Sequence, residues 1–327
     1  MFLGVDGGGT KTAVCLIDRD GHVIAERKVP SVDYFALGIE LVGRILTEGV
    51  HEVCEAAGVT TGELDFAFFG LPTYGEVSGD VAVLDAAPRA ALGHERYRCD
   101  NDMVCGWAGS LGAVDGINVI SGTGSMTYGE RAGSGVRIGG WGELFGDEGS
   151  AYWIAVRGLS AFSQMSDGRR APGPLLDVLR GHLGLAADLD LVDVVLNRWK
   201  GSRSEIAALS RQVGEAAARG DVASAEILAD AGRELAALVD CTRVRLGFGA
   251  DEVVPVSYSG GMFGSELVLH SFTEELGRRD PHHELRQPIY PPEVGAALYA
   301  AKLAGTPLTP DALARLRTRF APTTATA

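Results

Sequence analysis

The sequence predicts an α/β protein built from two copies of one fold, with a cleft between the copies. The first observation is an apolar run at the N-terminus that leads into a glycine turn, DGGGTKT, at residues 6–12. The second is a similar run in the middle of the chain that leads into SGTGS at residues 121–125. The third is the order of elements around both turns, which starts with short strands and continues with alternating helices and strands.

In the first half of the chain, alternating apolar residues indicate strands and apolar residues at helical spacing indicate helices. Turn residues and a proline separate the runs. The predicted elements are strands at 2–6, 12–18 and 22–29, a helix over 37–57, a strand at 66–72, a helix over 78–92, a strand at 96–100 and a small-residue helix that ends near residue 112.

The second half partly repeats this order. The predicted elements are a strand at 116–121, two short strands within 126–138, a helix-rich stretch over 147–248, a strand at 253–258 and a helix over 292–304. We expect an N-terminal domain at 1–115 and a larger C-terminal domain at 116–320. The second domain carries a helical insertion, and its last helix packs back on the first domain. The low-complexity tail at 321–327 is predicted to be disordered.

The composition excludes several classes of protein. The 327 residues suffice for two domains. The net charge is -14, so the chain lacks the basic surface that binding to nucleic acid or to an anionic membrane requires. No apolar run is long enough to span a membrane and no signal peptide is evident, so we expect a cytoplasmic protein. The chain has five cysteines, an odd number, and none of them belongs to a CxxC motif. We therefore expect reduced thiols rather than disulfides or a zinc site.

The two glycine turns are candidate phosphate sites. Glycine lets backbone N–H groups approach a phosphate closely, and nearby hydroxyl groups, including that of Ser125, could add donors. Neither turn is a Walker loop or a dinucleotide fingerprint, and each could be a tight hairpin, but two such turns favour a polyphosphate. The candidate nucleotide contacts are Gly8, Gly9, Thr10, Lys11 and Thr12 in the first turn and Gly122, Thr123 and Gly124 in the second.

Carboxylates at the ends of two predicted strands are further candidates. Asp6 closes the first strand, where an anion is costly unless it is paired, so it could hold Mg²⁺ through water. Its alternative role is to cap the turn. Asp102 follows the strand at 96–100 and could accept a proton from an attacking hydroxyl. Its alternative role is to cap the next helix, and Asp100 is a rival for the role of base.

The segment GGWGELFGDEGSAYWI at 139–154 is rich in glycine, then acidic, then helical. Trp141 beside Gly142 can offer a flat apolar face to a sugar ring, and Asp147 can hold hydroxyl groups. The alternative is a loop followed by a capped helix. Gly260 and Gly261, which follow the strand at 253–258, could let an adenosine lie against the backbone.

Together these motifs resemble the BadF/BadG/BcrA/BcrD-type ATPase and N-acetylglucosamine kinase family of the actin/hexokinase/Hsp70 superfold, over nearly the whole chain. The segment at 139–154 is the most specific match, and the segment at 291–297 resembles the family's C-terminal helix. The resemblance implies duplicated ribonuclease-H-like (actin-like ATPase) domains and a kinase that uses ATP and Mg²⁺ to phosphorylate the 6-hydroxyl of an amino sugar. By position, Asp102 matches the general base, Trp141 and Asp147 match sugar contacts, and Thr10, Thr123, Gly260 and Gly261 match nucleotide contacts.

One departure from the family concerns the sugar. Residues 31–34, SVDY, stand where N-acetylglucosamine kinases tend to carry Asn and then His. The anionic Asp33 suits a protonated 2-amino group better than an acetamide, although it could also accept from neutral hydroxyls. The sugar is therefore N-acetylglucosamine or glucosamine. Its expected contacts are Ser31, Asp33, Asp102, Thr123, Trp141, Gly142 and Asp147.

Two other functions remain as alternatives. An ATPase that activates a partner dehydratase or reductase would hold an iron–sulfur cluster on cysteines at a dimer interface, and no glycine-flanked cysteine pair is evident here. A non-catalytic sugar sensor is disfavoured by Asp102. The expected partners are a small sugar, no nucleic acid and no membrane, and a homodimer is implied by the resemblance alone.

Overall fold

The computed structural model of the protein describes residues 1–320, apart from the side chains of residues 36 and 37. The chain divides into two compact units, and the first break follows Asp115. The second break differs from the prediction, which continued the second domain to residue 320. Residues from Gln287 onwards belong to the first unit, because the helix that follows packs on the sheet of that unit. The predicted disorder at 321–327 lies outside the described residues.

The first unit is built on a five-stranded sheet in the order β3-β2-β1-β4-β5. The first three strands form an antiparallel meander, and the last two run parallel to β1. Its strands are β1 (Phe2–Gly7), β2 (Lys11–Ile17), β3 (Val23–Pro30), β4 (Phe66–Leu71) and β5 (Tyr97–Asn101).

The second unit, Gly116–Arg286, contains a sheet in the order β10-β9-β6-β7-β8. An antiparallel meander of three strands again continues into two strands parallel to the first of them. This repeated order confirms the predicted duplication of an α/β fold. Its strands are β6 (Gly116–Ser121), β7 (Ser125–Arg131), β8 (Ser134–Gly139), β9 (Val254–Ser259) and β10 (His283–Leu285), of which β10 was not predicted.

Helices cover the sheets of both units. In the first unit they are α1 (Tyr34–Leu37), α2 (Glu40–Ala57), α3 (Val81–Leu92), α4 (Met103–Leu111), α12 (Pro292–Leu303) and α13 (Pro310–Phe320). In the second unit they are α5 (Ala151–Ser166), α6 (Pro174–Leu183), α7 (Asp190–Val192), α8 (Arg203–Ala208), α9 (Ser210–Ala218), α10 (Val222–Arg245) and α11 (Glu266–Arg279). No helix within residues 1–320 is long and apolar enough to cross a membrane.

Two glycines let α12 pack closely, one against the first sheet and the other against α4. A Cβ on Gly4 of β1 would lie 2.3 Å from the backbone of α12, and a Cβ on Gly295 would lie 2.0 Å from the backbone nitrogen of Gly109 in α4. Any larger residue at Gly4 would push α12 away from the sheet, and any larger residue at Gly295 would push α12 away from α4. This close packing holds the start of α12, including Glu293, above the central strand.

Candidate active site

Asp6 and Asp102 come together at one end of the first sheet. Asp6 of β1 pairs in register with Gly70 of β4. A Cβ on Gly70 would lie 2.2 Å from the Cys105 sulfur and 3.0 Å from the Asp102 Cα, so glycine at this position lets α4 begin against the sheet. The absence of a side chain at Gly70 is thus what lets Asp102 lie near Asp6.

Asp6 is surrounded by negative charge. Burial, together with the charges of Asp102 and Glu293, raises the pKa of Asp6 to about 8, although a hydrogen bond with Cys105 and the charge of Lys11 act in the opposite direction. Asp6 is therefore largely protonated at neutral pH when no cation is bound beside it. A divalent cation near this carboxyl group would favour its ionised form.

Asp102 occupies the N-cap position of α4, but its side chain makes no capping hydrogen bond. The side chain of Asn101 serves instead, since its Oδ1 accepts from the Met103 N–H at 3.1 Å. The rival acid Asp100 is held by its neighbours, because it accepts from the Asn101 N–H at 2.8 Å and pairs with Arg98 at 3.4 Å. Of the two roles predicted for Asp102, that of cap is filled by another residue.

The first glycine turn leaves part of its backbone available to a ligand. The Gly8 N–H is used within the turn, where it donates to the Lys11 carbonyl at 2.9 Å. The N–H groups of Gly9 and Thr10 have no acceptor within residues 1–320. A Cβ on Gly9 would meet no atom closer than 3.9 Å, and its backbone does not adopt a left-handed conformation, so the fold does not itself require glycine there.

The side chains of the first turn divide into two groups. Thr10 and Lys11 are exposed, whereas Thr12 is fully buried in β2. The Thr12 hydroxyl has no hydrogen-bond partner among the described residues. Thr12 begins the fully buried part of β2, in which residues on both faces of the strand are covered, so its hydroxyl is poorly located to donate to a phosphate.

The loop between β3 and α1 is tied to this turn. The Ser31 hydroxyl donates to the Gly8 carbonyl at 2.7 Å and accepts from the Asp33 N–H at 3.0 Å. Asp33 lies next to Gly9, and its Oδ1 is buried without a hydrogen-bond partner among the described residues. A buried carboxylate oxygen without a donor is costly, so Asp33 has an unused capacity to bind a donor on a ligand.

The second glycine turn is anchored to the segment that follows β8. The Ser121 hydroxyl donates to the Gly149 carbonyl at 2.9 Å, and the Ser125 hydroxyl donates to the Glu148 carbonyl at 2.6 Å. The prediction that Ser125 donates to a phosphate is therefore wrong, because its buried hydroxyl is already engaged. Thr123 remains exposed.

Asp147, predicted to hold sugar hydroxyls, is buried in the second unit, with only 2 % of its surface exposed. Its Oδ2 accepts from the Arg203 guanidinium at 2.5 Å, and Arg203 also pairs with Glu143 at 3.2 Å. A Cβ on Gly124 would lie 2.6 Å from both Arg203 and Asp147, so glycine lets this ion pair lie against the second turn. Arg203 was missed from the sequence because it lies far along the chain, at the start of α8.

Trp141 presents its ring outwards. It is 72 % exposed, whereas its Cβ packs close to Gly146, which leaves room for no side chain. The Arg137 guanidinium donates to the Gly140 carbonyl and holds the backbone at the start of the loop. Gly142 has a φ of +90° that favours glycine. The loop is thus fixed through its backbone, and the indole face is accessible to a ring-shaped ligand.

A pocket of about 570 Å³ lies within the second unit. Gly122 and Thr123 line one side, and the turn Gly261–Gly264 lines another. Gly260 has a φ of +98°, and a Cβ there would lie 2.2 Å from the Ser121 carbonyl oxygen, so only glycine allows the two motifs to touch. Gly122 and Gly261 have open space where a Cβ would be. The pocket has the size that is usual for small-molecule sites.

Comparisons with known proteins identify the family of the chain. The sequence profile of the BadF/BadG/BcrA/BcrD ATPase family matches residues 3–300. The chain is 29% identical over 314 residues to the N-acetyl-D-glucosamine kinase of Dictyostelium discoideum, with 92% of this chain and 97% of the relative covered. It is 31% identical over 285 residues to the N-acetylmuramic acid/N-acetylglucosamine kinase of Clostridium acetobutylicum, with 85% and 91% covered.

A solved structure shares the fold. The crystal structure of a candidate N-acetylglucosamine kinase from Chromobacterium violaceum matches with a TM-score of 0.67 at 24% identity, and the match covers 91% of this chain and 98% of that chain. At this identity the likeness concerns the fold alone. The family profile spans almost the entire described chain, and this protein therefore belongs to the BadF/BadG/BcrA/BcrD ATPase family.

Proposed function

We propose that this protein is an ATP-dependent amino-sugar kinase that phosphorylates the 6-hydroxyl of glucosamine or N-acetylglucosamine. Two relatives named as kinases of amino sugars match over most of their length. The observation that carries the proposal is that Gly122 and Thr123 of one predicted nucleotide motif and Gly261 of another line the same pocket. Neither Gly122 nor Gly261 has a neighbouring atom where a Cβ would stand, so a ligand can approach the backbone there closely.

The second unit offers a nucleotide site. Gly122, Thr123 and Gly261 line its pocket, and the N–H groups of Thr123 and Gly124 have no acceptor within residues 1–320. Such N–H groups bind phosphate oxygens well, because they carry partial positive charge at fixed positions. They compensate locally for the acidic net charge of the chain, which would otherwise repel ATP.

The first unit offers the base. In the proposed reaction, the 6-hydroxyl oxygen attacks the γ-phosphorus, the bond from that phosphorus to the β–γ bridging oxygen breaks, and Asp102 accepts the hydroxyl proton. Asp102 lies at the carboxyl end of β5, where working residues of α/β sheets commonly lie. The hydrogen bond that caps α4 is made by Asn101 and not by Asp102.

The residues near Asp6 fit a magnesium ion that is bound mainly by phosphate oxygens and water. No group of three or more His, Cys, Asp or Glu side chains in the described part of the chain is arranged to hold a metal by itself. Mg²⁺ commonly binds proteins through one or two carboxylates and keeps several waters. Asp6 would hold it through water, and the bound ion would offset the charge of the phosphates.

Two side chains are proposed to recognise the sugar. The exposed Trp141 indole would cover the apolar face of the ring, and Asp33 would accept a hydrogen bond from a sugar substituent through its unpartnered oxygen. Ser31 holds the backbone of Asp33 in place. Asp147 acts indirectly, because its carboxylate is bound to Arg203.

The partner-activating alternative has less support. Cys15, Cys54, Cys99 and Cys105 are buried, and only Cys241 of the five is exposed. A surface-bound iron–sulfur cluster would need accessible thiolates, which buried thiols with raised pKa values do not supply.

ADP release in the presence of Mg-ATP tests the proposal. The panel comprises glucosamine, N-acetylglucosamine, N-acetylmannosamine, N-acetylmuramic acid, glucose and a reaction without sugar. Strong stimulation by glucosamine or N-acetylglucosamine, with a 6-phosphorylated product identified by NMR, is the expected result. Hydrolysis that does not depend on sugar, or no hydrolysis at all, would overturn the proposal and favour the partner-activating ATPase.

A further inference from the structure

The helical insertion of the second unit forms one wall of the pocket. The sequence alone predicts no role for this insertion. Small side chains predominate along this wall and along the turn that it faces. The residues of α8 and α9 that line the pocket are Ser204, Ala207, Ala208, Ser210, Arg211 and Gly214. Small residues on two walls leave a slot that suits a flat ring, and Leu228 and Met262 add apolar surface to it.

The wall formed by α8 and α9 begins beside the second glycine turn and runs away from it. Arg203 lies directly against Gly124 of that turn, so α8 begins at the proposed phosphate end. Arg211 follows Ser204 by seven residues in α9, which continues α8 after Leu209. At helical rise this corresponds to about 10 Å along the wall, or roughly the distance from a phosphate to a nucleotide base.

Arg211 differs in its bonding from Arg203. Arg203 is paired with Glu143 and Asp147, whereas Arg211 is exposed and has neither an ion pair nor a hydrogen bond within residues 1–320. A guanidinium group that lines a pocket without a partner is available to a ligand. Arginine stacks well on aromatic rings, because its planar charged group is weakly hydrated.

We propose that Arg211 stacks on the purine base of bound ATP and that the α8–α9 segment forms the base side of the nucleotide site. The inference rests on the proposed nucleotide site and adds to it a residue that selects the base. The Arg203 guanidinium holds the wall at the phosphate end, and the Arg211 guanidinium covers the ring at the other end. The preference for a purine follows from the larger ring face that it offers to the guanidinium.

Calorimetric titration of the full chain with ADP tests this assignment. Removal of a partly desolvated cation–π contact in Arg211→Ala should weaken ADP binding about five- to thirty-fold. The preference for ATP over CTP in the kinase assay should fall in parallel, while the KM for the sugar stays unchanged. The matched control is Arg219→Ala at the end of α9, where Arg219 pairs with Glu215, and it should bind ADP like the wild type.

Arg211→Lys separates stacking from a phosphate contact. Lysine keeps the positive charge but lacks the planar guanidinium group. If Arg211 stacks on the base, Arg211→Lys should therefore bind ADP nearly as weakly as Arg211→Ala. Wild-type affinity in either variant would overturn the inference. A wild-type chain that binds no ADP would overturn the proposed nucleotide site as well. A wild-type chain that phosphorylates an amino sugar while Arg211→Ala is unaffected would overturn only the role of Arg211.

Discussion

Arg203 donates to the buried carboxylate of Asp147 at 2.5 Å, and the pair lies against Gly124 of the second glycine turn. One ion pair thereby joins the helical insertion, the Trp141 loop and the candidate phosphate turn. Burial raises the pKa of Asp147, and the charge of Arg203 acts in the opposite direction. The pair therefore fixes the parts of the site relative to one another within the second unit.

Arg203→Ala should destabilise the protein by about 1–3 kcal/mol, because it leaves the buried Asp147 carboxylate without its charged partner. Partial exposure of Arg203 limits the loss, since water can reach the vacated space. The free energy of unfolding in urea measures the effect. Arg198→Ala, which removes an exposed pair with Asp193 in the same insertion, should cost less than about 1 kcal/mol. Equal stability of the two variants would show that Asp147 does not depend on Arg203.

Asp102→Asn should lower turnover about 100- to 10,000-fold, because an amide cannot accept the hydroxyl proton. Binding of ADP, measured by calorimetry, should persist. The control is Asp100→Asn, in which the amide oxygen can still accept from the Asn101 N–H, and which should lose little turnover. Loss of turnover in Asp100→Asn with near-normal Asp102→Asn would assign the base to Asp100.

Asp6→Asn should become progressively more stable than the wild type as pH rises, in the absence of nucleotide and magnesium. The folded chain binds the Asp6 proton more tightly than the unfolded chain. The resulting stability is complete below about pH 4 and is lost as pH rises to about 8. Asparagine resembles the protonated acid at every pH.

The stability difference between Asp6→Asn and the wild type, followed by urea unfolding across this range, should grow by about 5 kcal/mol. The variant should also lose kinase activity. A difference that stays constant with pH would show that the Asp6 pKa is not raised in the folded chain.

Asp33→Asn should shift the preference of the kinase from glucosamine towards N-acetylglucosamine. A carboxylate attracts the protonated 2-amino group, whereas an amide offers a donor and an acceptor to an acetamide. The ratio of kcat/KM for the two sugars measures the shift, which should be about ten-fold or more if a charge-assisted hydrogen bond is lost. Because both sugars are assayed on one variant, general damage to the site cancels in the ratio. An unchanged ratio would show that Asp33 does not contact the 2-substituent.

Much of the fold could be predicted because its signals are local. The apolar runs before residues 6 and 121 each ended in a glycine turn, and the strand order that follows them is the same in both sheets. The elements α1, α11, β10 and α13 were missed. β10 has only three residues, and α13 buries only Ala312 and Leu316 on an otherwise charged helix, so neither has a strong apolar pattern.

The candidate site was predictable to a similar extent. Asp6 lies near the end of β1 and Asp102 follows β5, so both could be found from their neighbours in the sequence. Arg203 and Arg211 could not, because they lie in helices whose sequence carries no motif and they reach the glycine turns only through tertiary packing. The burial of Thr12 could not be predicted from strand alternation either, because all residues of β2 after Lys11 are buried.

Gly260 and Gly261 are neighbours that evolution would preserve for different reasons. Gly260 is confined by its own φ and by the Ser121 carbonyl, so replacing it would disturb the protein even if no nucleotide ever bound. Gly261 faces open space, so selection on it would come from the ligand. In a descendant of this chain that no longer bound a nucleotide, Gly261 could be replaced by other residues. Gly260 would be retained, because the fold itself requires it.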